Sequence, residues 1–352
     1  MYKYPIVYRG MDAAKVFMEV TIREAKEIEY LYSNKESMIP LTKEQQDVYD
    51  SSRHCYICSG SFTKESWKLR NHYHLTGFYR GPAHNSCNLK FKVPTFLPFI
   101  FQNLSGYDSR LFIKELGNND FDINEILENT EKCISFSKKI SNKFSIRFLD
   151  FCRFMPSSLE KLATNLKSDQ FRIIKSFISE DKVSLLMRKG CFPYDYVSSP
   201  ERLSETCLPP KQEFFNRLNN EELTDDDYQH AVRVWDVFNI RTLGEYSDLY
   251  VKTDVLLLSD IFENFRSVCM KAYNLDPVWY YTAPSLSWNS MLKFTKVKIE
   301  LLMDYDMYLF VEKSIRGGIS QCSNRYARAN NKYLPNFEPS QPEFFFAIFR
   351  CQ

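Results

Sequence analysis

Residues 55–108 read CYICSGSFTKESWKLRNHYHLTGFYRGPAHNSCNLKFKVPTFLPFIFQNLSGYD, and the rest of the chain is organised around this stretch. It contains three of the ten cysteines and three of the five histidines of the 352-residue sequence. After the last of these cysteines the chain becomes apolar, and the apolar run leads into a turn that ends in a carboxylate. The stretch therefore predicts two adjacent sites, a metal centre and a carboxylate site beyond a buried strand.

Four residues of this stretch have the spacing of a structural zinc site. Cys55 and Cys58 form a C-x2-C pair, and His84 and Cys87 form an H-x2-C pair about 30 residues later. Thiolate and imidazole ligands together favour zinc over hard cations. The alternative is a set of reduced side chains without a metal, because isolated C-x2-C pairs are common. We predict a zinc-stapled module over residues 51–93.

The same stretch contains a second pattern, formed by Asn71, His72 and Asn88. A histidine between zinc pairs, with an asparagine just after the last ligand, resembles the ββα-metal nucleases of the recombination endonuclease VII type. In that family an Asp-His pair and the asparagine hold magnesium and activate a water. His72 and Asn88 match this motif, whereas Asn71 stands where the family has its aspartate. Because an amide cannot supply a carboxylate's charge, the resemblance implies a binding element, with nuclease activity as the alternative.

The zinc module is also locally basic. Between Lys64 and Lys92 it has six lysines and arginines against a single glutamate, and aromatic residues are interleaved with them. This combination suits phosphate contacts and base stacking, so Arg70 and Arg80 are candidate DNA-binding residues. The alternative is a solvated basic surface.

The second predicted site begins where the module ends. The apolar run TFLPFIF at residues 95–101 has the length of a buried strand. Residues 103–108, NLSGYD, follow as a glycine-containing turn into a helix at 109–116. Asp108 is well placed to bind a metal at the end of this strand. Its alternative role is that of a helix cap.

The whole sequence has the composition of a soluble globular protein with two or three domains. Hydrophobic residues make up 44% and charged residues 26%, and the net charge of +2 gives no global argument for a nucleic acid partner. No apolar run reaches the roughly 18 residues that span a bilayer, and the N-terminus lacks a signal-peptide core. Ten cysteines suggest metal and free thiols. We expect an intracellular protein, nuclear or cytoplasmic, without a membrane partner.

The apolar periodicity predicts an α/β fold with a mixed sheet. Residues 1–50 are expected to form a helical segment, and the polar residues 40–54 a linker into the module. Strand and helix candidates then alternate, as in α/β domains. Beyond the strand and helix given above, they are strands at 133–136 and 145–150 and a helix at 158–166.

The chain beyond residue 190 is first irregular and then helical. Residues 190–227 are rich in proline and serine, whereas residues 225–238 and 246–273 have helical patterns. Within the last of these, Tyr250 and Asp254 are four residues apart and share one helix face. A tyrosine one turn before an aspartate can orient a water beside a metal ion that the carboxylate holds. The alternative is a structural pair.

Three motifs now occur in an order that resembles the proofreading exonuclease of family B DNA polymerases. They are N-x-x-G-Y-D at residues 103–108, Ser158-Leu159 after a strand that ends in Asp150, and Y-x3-D at residues 250–254. The zinc module, FPYDY at residues 192–196 and RGG at residues 316–318 are similar to the protein-primed type of viruses, linear plasmids and Maverick-like mobile elements. The resemblance covers residues 5–340.

The resemblance implies a 3′–5′ exonuclease domain of ribonuclease H-like fold that uses two magnesium or manganese ions. It implies that Asp108 and Asp254 are metal ligands and that Tyr250 positions the attacking water. It also implies contacts with the primer or template strand from six residues: Asn103, Ser158, Leu159, Arg316, Gly317 and Gly318. The implied partners are DNA, either single-stranded or primer-template, and a terminal priming protein. The protein is expected to be a monomer.

The sequence also departs from the family pattern. No D-x-E pair, the family's first exonuclease motif, precedes Asp108, and Ile315 replaces the tyrosine that the family has before R-G-G. The polymerase palm expected after Pro339 is not found. We therefore expect a polymerase fragment with little or no synthesis by this chain alone. Its expected parts are a helical segment 1–50, the zinc module 51–93, an exonuclease-like domain 94–275 and a segment 276–352 that leads to the palm.

Overall fold

The computed structural model describes residues 2–90, 94–117, 122–127, 133–314 and 328–342. The chain divides into two compact units, Met1–Lys296 and Val297–Gln352. The first unit contains every described strand. The second contains helix Tyr305–Ser314. No helix among the described residues is long and apolar enough to cross a bilayer.

The N-terminal part of the first unit consists of two helices and a small ββα module. In chain order its elements are helix α1 (Ala13–Ser33), helix α2 (Lys43–Ser51), strand β1 (Lys68–His72), strand β2 (Tyr79–His84) and helix α3 (Asn85–Lys90). The predicted linker, residues 40–54, contains helix α2. The Thr42 hydroxyl accepts the Gln45 N–H, and the Gln45 side chain accepts the Thr42 N–H. This capping box starts a helix that its polar composition did not suggest.

A mixed four-stranded sheet forms the centre of the first unit. Its strands are β3 (Phe96–Phe101), β4 (Ile123–Leu127), β5 (Cys133–Lys139) and β6 (Ser145–Asp150). The strand order is β3-β6-β5-β4, with β3 and β6 parallel and the other two pairings antiparallel. Helices pack on this sheet, so the predicted α/β class is confirmed.

Seven further helices complete the first unit: α4 (Ser109–Phe112), α5 (Leu159–Thr164), α6 (Arg172–Phe177), α7 (Glu180–Leu186), α8 (Asp225–Val237), α9 (Leu243–Tyr273) and α10 (Ala283–Thr295), counted over the described residues. The helix predicted at residues 109–116 is irregular. A π-helical turn, Leu104–Asp108, precedes α4, and a 3-10 turn, Ile113–Gly117, follows it. The predicted insertion at residues 190–227 contains two 3-10 turns.

The sheet separates two hydrophobic cores. Phe99 and Phe101 of β3 pack with Phe148 of β6 in a cluster that also contains Met18 of α1. Ile100, the residue between them, packs into the larger core around α5, α6 and α9. This alternation follows from the period of two along a strand. The sheet thus lies between α1 on one face and α9 on the other.

Asp260 joins two helices of the larger core. This α9 residue is 1% exposed, and its carboxylate accepts the backbone N–H groups of Ile173 and Ile174 at 2.7 and 3.0 Å. These N–H groups belong to the first turn of α6, where no intrahelical acceptor is present. Burial raises the pKa of Asp260, and the N–H donors oppose this shift. The carboxylate therefore fixes α6 against α9.

We expect Asp260→Ala to lower the free energy of unfolding by about 3 kcal/mol, because it leaves two buried N–H groups without acceptors. Chemical denaturation of both proteins measures the difference. Asp236→Ala, at an exposed position of α8, is the matched control and should change stability little. Equal losses in the two variants would contradict the capping role.

Candidate metal centre and nucleic-acid cleft

The four predicted zinc ligands converge on one point of the ββα module. The ligand atoms of Cys55, Cys58, His84 and Cys87 all lie within 4.8 Å of one another. The His84 Nδ1 atom is 3.3 Å from the Cys58 sulfur and 3.8 Å from the Cys87 sulfur. Four such donors fit one tetrahedral ion, and their sulfur-rich chemistry fits zinc.

The local backbone prepares this site for a cation. The second ring nitrogen of His84, Nε2, donates to the Ser61 carbonyl at 3.0 Å, which directs Nδ1 towards the sulfurs. Burial raises the pKa of Cys55, but N–H groups of His84, Cys58 and Ile57 outweigh this effect and lower it to about 7. A thiol with a lowered pKa is readily available as a thiolate ligand. Helix α3 begins directly after His84, and Cys87 lies within this six-residue helix.

The nuclease-like residues of the module form a neutral hydrogen-bond chain. The Tyr56 hydroxyl donates to Asn71 Oδ1 at 2.6 Å, and Asn71 Nδ2 donates to Asn88 Oδ1 at 2.6 Å. Asn71 is buried, and the His72 ring contacts the ring of His74. Because the Asn88 oxygen already accepts a hydrogen bond, this geometry favours a structural role for the three hydrogen-bonded side chains.

The two candidate DNA-binding arginines of the module have different surroundings. Arg70 donates to Gln46 Oε1 at 3.0 Å and lies over the ring of Tyr49, so it contacts helix α2. Arg80 lies over the ring of Tyr73, with its guanidinium 4.2 Å from the ring centre. The two arginines therefore contact different parts of the protein.

Five predicted exonuclease residues line a single cleft. Its volume is about 990 Å³. The predicted residues that line it are Asn103, Asp108, Ser158, Leu159 and Asp254. They come from three segments that are far apart in the sequence, and the fold brings them together.

The parallel pairing of β3 and β6 explains this convergence. Both strands end at the same edge of the sheet, and four of the cleft residues follow these ends: Asn103, Asp108, Ser158 and Leu159. Asp254 comes from α9, which packs in the core on the other side of β3 from α1. The Asp150 carboxylate, at the end of β6, accepts the N–H groups of Ser105 and Cys152 at 2.9 Å each. This buried carboxylate ties the π-helical turn that carries Asp108 to the neighbouring strand. Ser158 caps helix α5 by accepting the Lys161 N–H.

The two carboxylates in the cleft both have raised pKa values. Burial raises the pKa of Asp254 to about 6, although Lys189 and the Tyr250 hydroxyl lower it. The Oδ1 atom of Asp254 is buried and has no hydrogen-bond partner. Burial also raises the pKa of Asp108, with a smaller contribution from Asp150. A partnerless carboxylate oxygen, in a cleft that a second carboxylate also lines, fits a hard divalent cation.

Tyr250 is buried next to the cleft and does not line it. It lines an adjoining cavity of about 540 Å³, and its hydroxyl is 2.8 Å from the hydroxyl of Tyr194. Lys189 lines both the cavity and the cleft. Sequence reasoning missed Lys189 and Tyr194 as site residues. The FPYDY stretch was a signal for Tyr194, whereas a single lysine in a loop gives no such signal.

The raised pKa of Asp254 predicts a pH-dependent stability. The pKa rises from 3.8 to about 6 on folding, so the carboxyl's favourable contribution is complete below 3.8 and is lost as pH rises through about 6. Above that pH we expect Asp254→Asn to be more stable than the parent by about 3 kcal/mol. Chemical denaturation across this pH range, with zinc present and no added magnesium or manganese, measures the difference. A difference that does not change with pH would contradict the assignment.

The predicted template contacts, Arg316, Gly317 and Gly318, lie outside the described residues.

The sequence model of the family described as DNA polymerase type B, organellar and viral, matches residues 96–334, which is more than half of the chain. No curated protein and no solved structure matches this chain.

Proposed function

Because the chain belongs to the organellar and viral type B DNA polymerases, we propose that its cleft is a 3′–5′ exonuclease site in a ribonuclease H-like domain over residues 94–275. Members of this family are DNA polymerases, so DNA is the expected partner. The observation that carries the proposal is the convergence of Asn103, Asp108, Ser158, Leu159 and Asp254 in one cleft. The protein-primed type, and with it a terminal priming protein, stays a prediction from sequence motifs.

The chemistry of the site depends on its carboxylates. Asp108 and Asp254 would hold magnesium or manganese, and the partnerless oxygen of Asp254 supports this role. When bound, such ions polarise the scissile phosphate and stabilise charge on the attacking and leaving oxygens. Burial raises the pKa of Tyr250. Its hydroxyl therefore stays protonated and can orient a water by hydrogen bonding rather than act as a base.

The lining of the cleft suits an unpaired DNA end. One part is apolar and aromatic, with Phe17, Phe99 and Phe101 among its residues. Aromatic side chains stack on unpaired bases with little sequence preference. The hydroxyl and amide of Ser158 and Asn103 can contact the sugar-phosphate backbone. We therefore propose the 3′ end of a single strand as the substrate.

We expect this chain to cleave slowly. Asp108 and Asp254 are the two carboxylates among the described residues that line the cleft. The resemblance implies two further carboxylates from a D-x-E motif, which does not precede Asp108 in this sequence. Fewer carboxylates hold the cations less tightly. Manganese should therefore support activity better than magnesium, because it binds nitrogen and oxygen ligands more tightly.

A single-strand shortening assay tests the proposal. Oligonucleotides labelled at the 5′ end should shorten stepwise from the 3′ end in manganese, and a matching duplex should shorten more slowly. Asp254→Ala should abolish this activity, whereas Asp236→Ala, at an exposed carboxylate of α8, should retain it. The proposal is wrong if the parent chain does not shorten the single strand, or if Asp254→Ala shortens it at the same rate.

A second candidate function is DNA binding by the zinc module. The cluster of Cys55, Cys58, His84 and Cys87 supports it, because a metal would stabilise this small element. Weak nuclease activity at His72 and Asn88 is less well supported, since Asn88 accepts a hydrogen bond from Asn71. If the module binds single-stranded DNA, affinity should fall with salt and with zinc chelation. Affinity that is insensitive to chelation would exclude the module.

A further inference from the structure

Two aromatic side chains are exposed at the tip of the β1–β2 hairpin. Tyr73 is 51% and Phe78 is 62% exposed. The Tyr73 N–H donates to the Phe78 carbonyl at 2.8 Å, one step beyond the pairing of His72 with Tyr79. Residues directly opposite each other in an antiparallel ladder project to the same face. The two exposed side chains therefore project from one face of the hairpin, and we call them its aromatic surface.

A guanidinium group belongs to the same surface. Arg80 follows Tyr79 on β2, and its guanidinium is stacked 4.2 Å from the centre of the Tyr73 ring. This cation–π contact orients the ring and keeps a positive charge beside it. Tyr73 stays half exposed in spite of the contact. A guanidinium next to exposed rings can bind a phosphate while the rings stack on bases.

The charges around the hairpin tip are mainly positive. Burial lowers the pKa of His74, and the neighbouring His72, Lys35 and Arg80 lower it further. Glu36 is the neighbouring acid, and its backbone N–H donates to the His74 carbonyl. The basic groups thus outnumber the acid. This balance is complementary to a polyanion.

The hairpin tip is held in a defined conformation. The Gly77 carbonyl accepts the Ile39 N–H at 2.8 Å, and the Gly77 N–H donates to the Tyr73 carbonyl at 2.7 Å. Gly77 has φ of +72°, and a Cβ at this position would lie 2.4 Å from the Ser37 carbonyl oxygen. Only glycine fits this close approach. The aromatic surface is therefore preformed, which reduces the entropy lost on binding.

We infer that Tyr73, Phe78 and Arg80 form a stacking platform for single-stranded DNA. Unpaired bases would stack on the two rings, and Arg80 would contact a phosphate. A duplex does not present the free base faces that such stacking needs. The inference rests on the proposal that the zinc module binds DNA, and it specifies the surface and the form of DNA.

The two basic side chains of β1 contact helix α2 and provide a matched control. The Lys68 ammonium donates to the carbonyls of Tyr49, Asp50 and Ser52 at the end of α2. Arg70 contacts Gln46 of the same helix. Arg70→Gln and Arg80→Gln remove the same charge from the same module. Only Arg80→Gln should remove a contact with the DNA strand.

Binding of a short circular oligothymidylate, measured by fluorescence anisotropy with the zinc-loaded chain, tests the platform. A circle has no 3′ end, so the exonuclease cleft does not contribute to its binding. We expect Tyr73→Ala and Phe78→Ala each to weaken binding about tenfold. Tyr30→Ala, at an exposed tyrosine of α1, should have no effect. Arg80→Gln should reduce the slope of log affinity against log salt by about 0.7, and Arg70→Gln should leave it unchanged.

Folding defects are separated from lost contacts by two measurements. Each variant should retain the parent's zinc content, and Tyr73→Phe, which keeps the ring, should retain its affinity. Parent-like binding by Tyr73→Ala and Phe78→Ala, or equal binding of a duplex, would overturn the inference. If chelation still abolishes binding in that case, the module binds DNA through another surface. Failure of the 3′ shortening assay would refute the exonuclease proposal without affecting this result.

Discussion

Cys58→Ser should unfold the ββα module and leave the four-stranded sheet folded. The module has a two-stranded hairpin and the six-residue helix α3, which is too small a structure to be stable alone. Structural zinc sites supply apparent binding free energies of about 10–16 kcal/mol, and loss of one ligand removes much of this. Hydrogen exchange of the β1 and β2 amides, together with zinc content, measures the effect.

Cys207→Ser is the matched control for this substitution. Cys207 is an exposed free cysteine outside the ligand cluster, so its replacement should alter neither zinc content nor exchange. Chelation of zinc from the parent chain should reproduce the behaviour of Cys58→Ser. If the β1 and β2 amides remain protected in Cys58→Ser, the metal does not hold the module together.

The second large effect concerns the cleft carboxylates. Asp108→Ala and Asp254→Ala should each reduce manganese-dependent shortening of single strands by about 100-fold or more, because each would remove one of the two proposed ligands of a shared cation. On the proposal that both carboxylates hold one cation, the double variant should be little slower than either single one. Single-turnover rates with excess enzyme measure these losses. Independent, multiplying losses would contradict a shared cation.

Two further variants define the specificity of this effect. Tyr250→Phe keeps the ring but removes the hydroxyl that meets Tyr194, and a loss of about tenfold would fit a water-positioning role. Asp236→Ala should keep the parent's rate, because Asp236 is exposed on α8 and does not line the cleft. An equal loss in Asp236→Ala would indicate a general charge effect on DNA binding.

The sequence alone predicted those features that depend on local chemistry. Ligand type and spacing selected Cys55, Cys58, His84 and Cys87, whose ligand atoms the structure then brings together. An apolar run of strand length identified β3, short strand candidates identified β5 and β6, and a helical period of apolar residues identified α9. Strand β4 was missed, since most of its side chains are exposed and leave no such pattern.

Other features depended on contacts between residues distant in sequence. Asn71 is an ordinary polar residue in the sequence, and only the fold shows that it links Tyr56 to Asn88. Arg70 and Arg80 belong to one basic stretch, yet one contacts α2 and the other stacks on Tyr73. Spacing along a chain cannot predict such differences, because they depend on which surfaces meet after folding.

The cleft combines both kinds of information. Its motifs were recognisable from the sequence, because a carboxylate after a strand and a tyrosine one turn before an aspartate are local patterns. Their convergence, the partnerless oxygen of Asp254 and the presence of Lys189 were decided by the tertiary structure. The physical reason is that parallel pairing of β3 with β6 and packing of α9 set distances across the sheet. Burial by that packing then raises the pKa of Asp254.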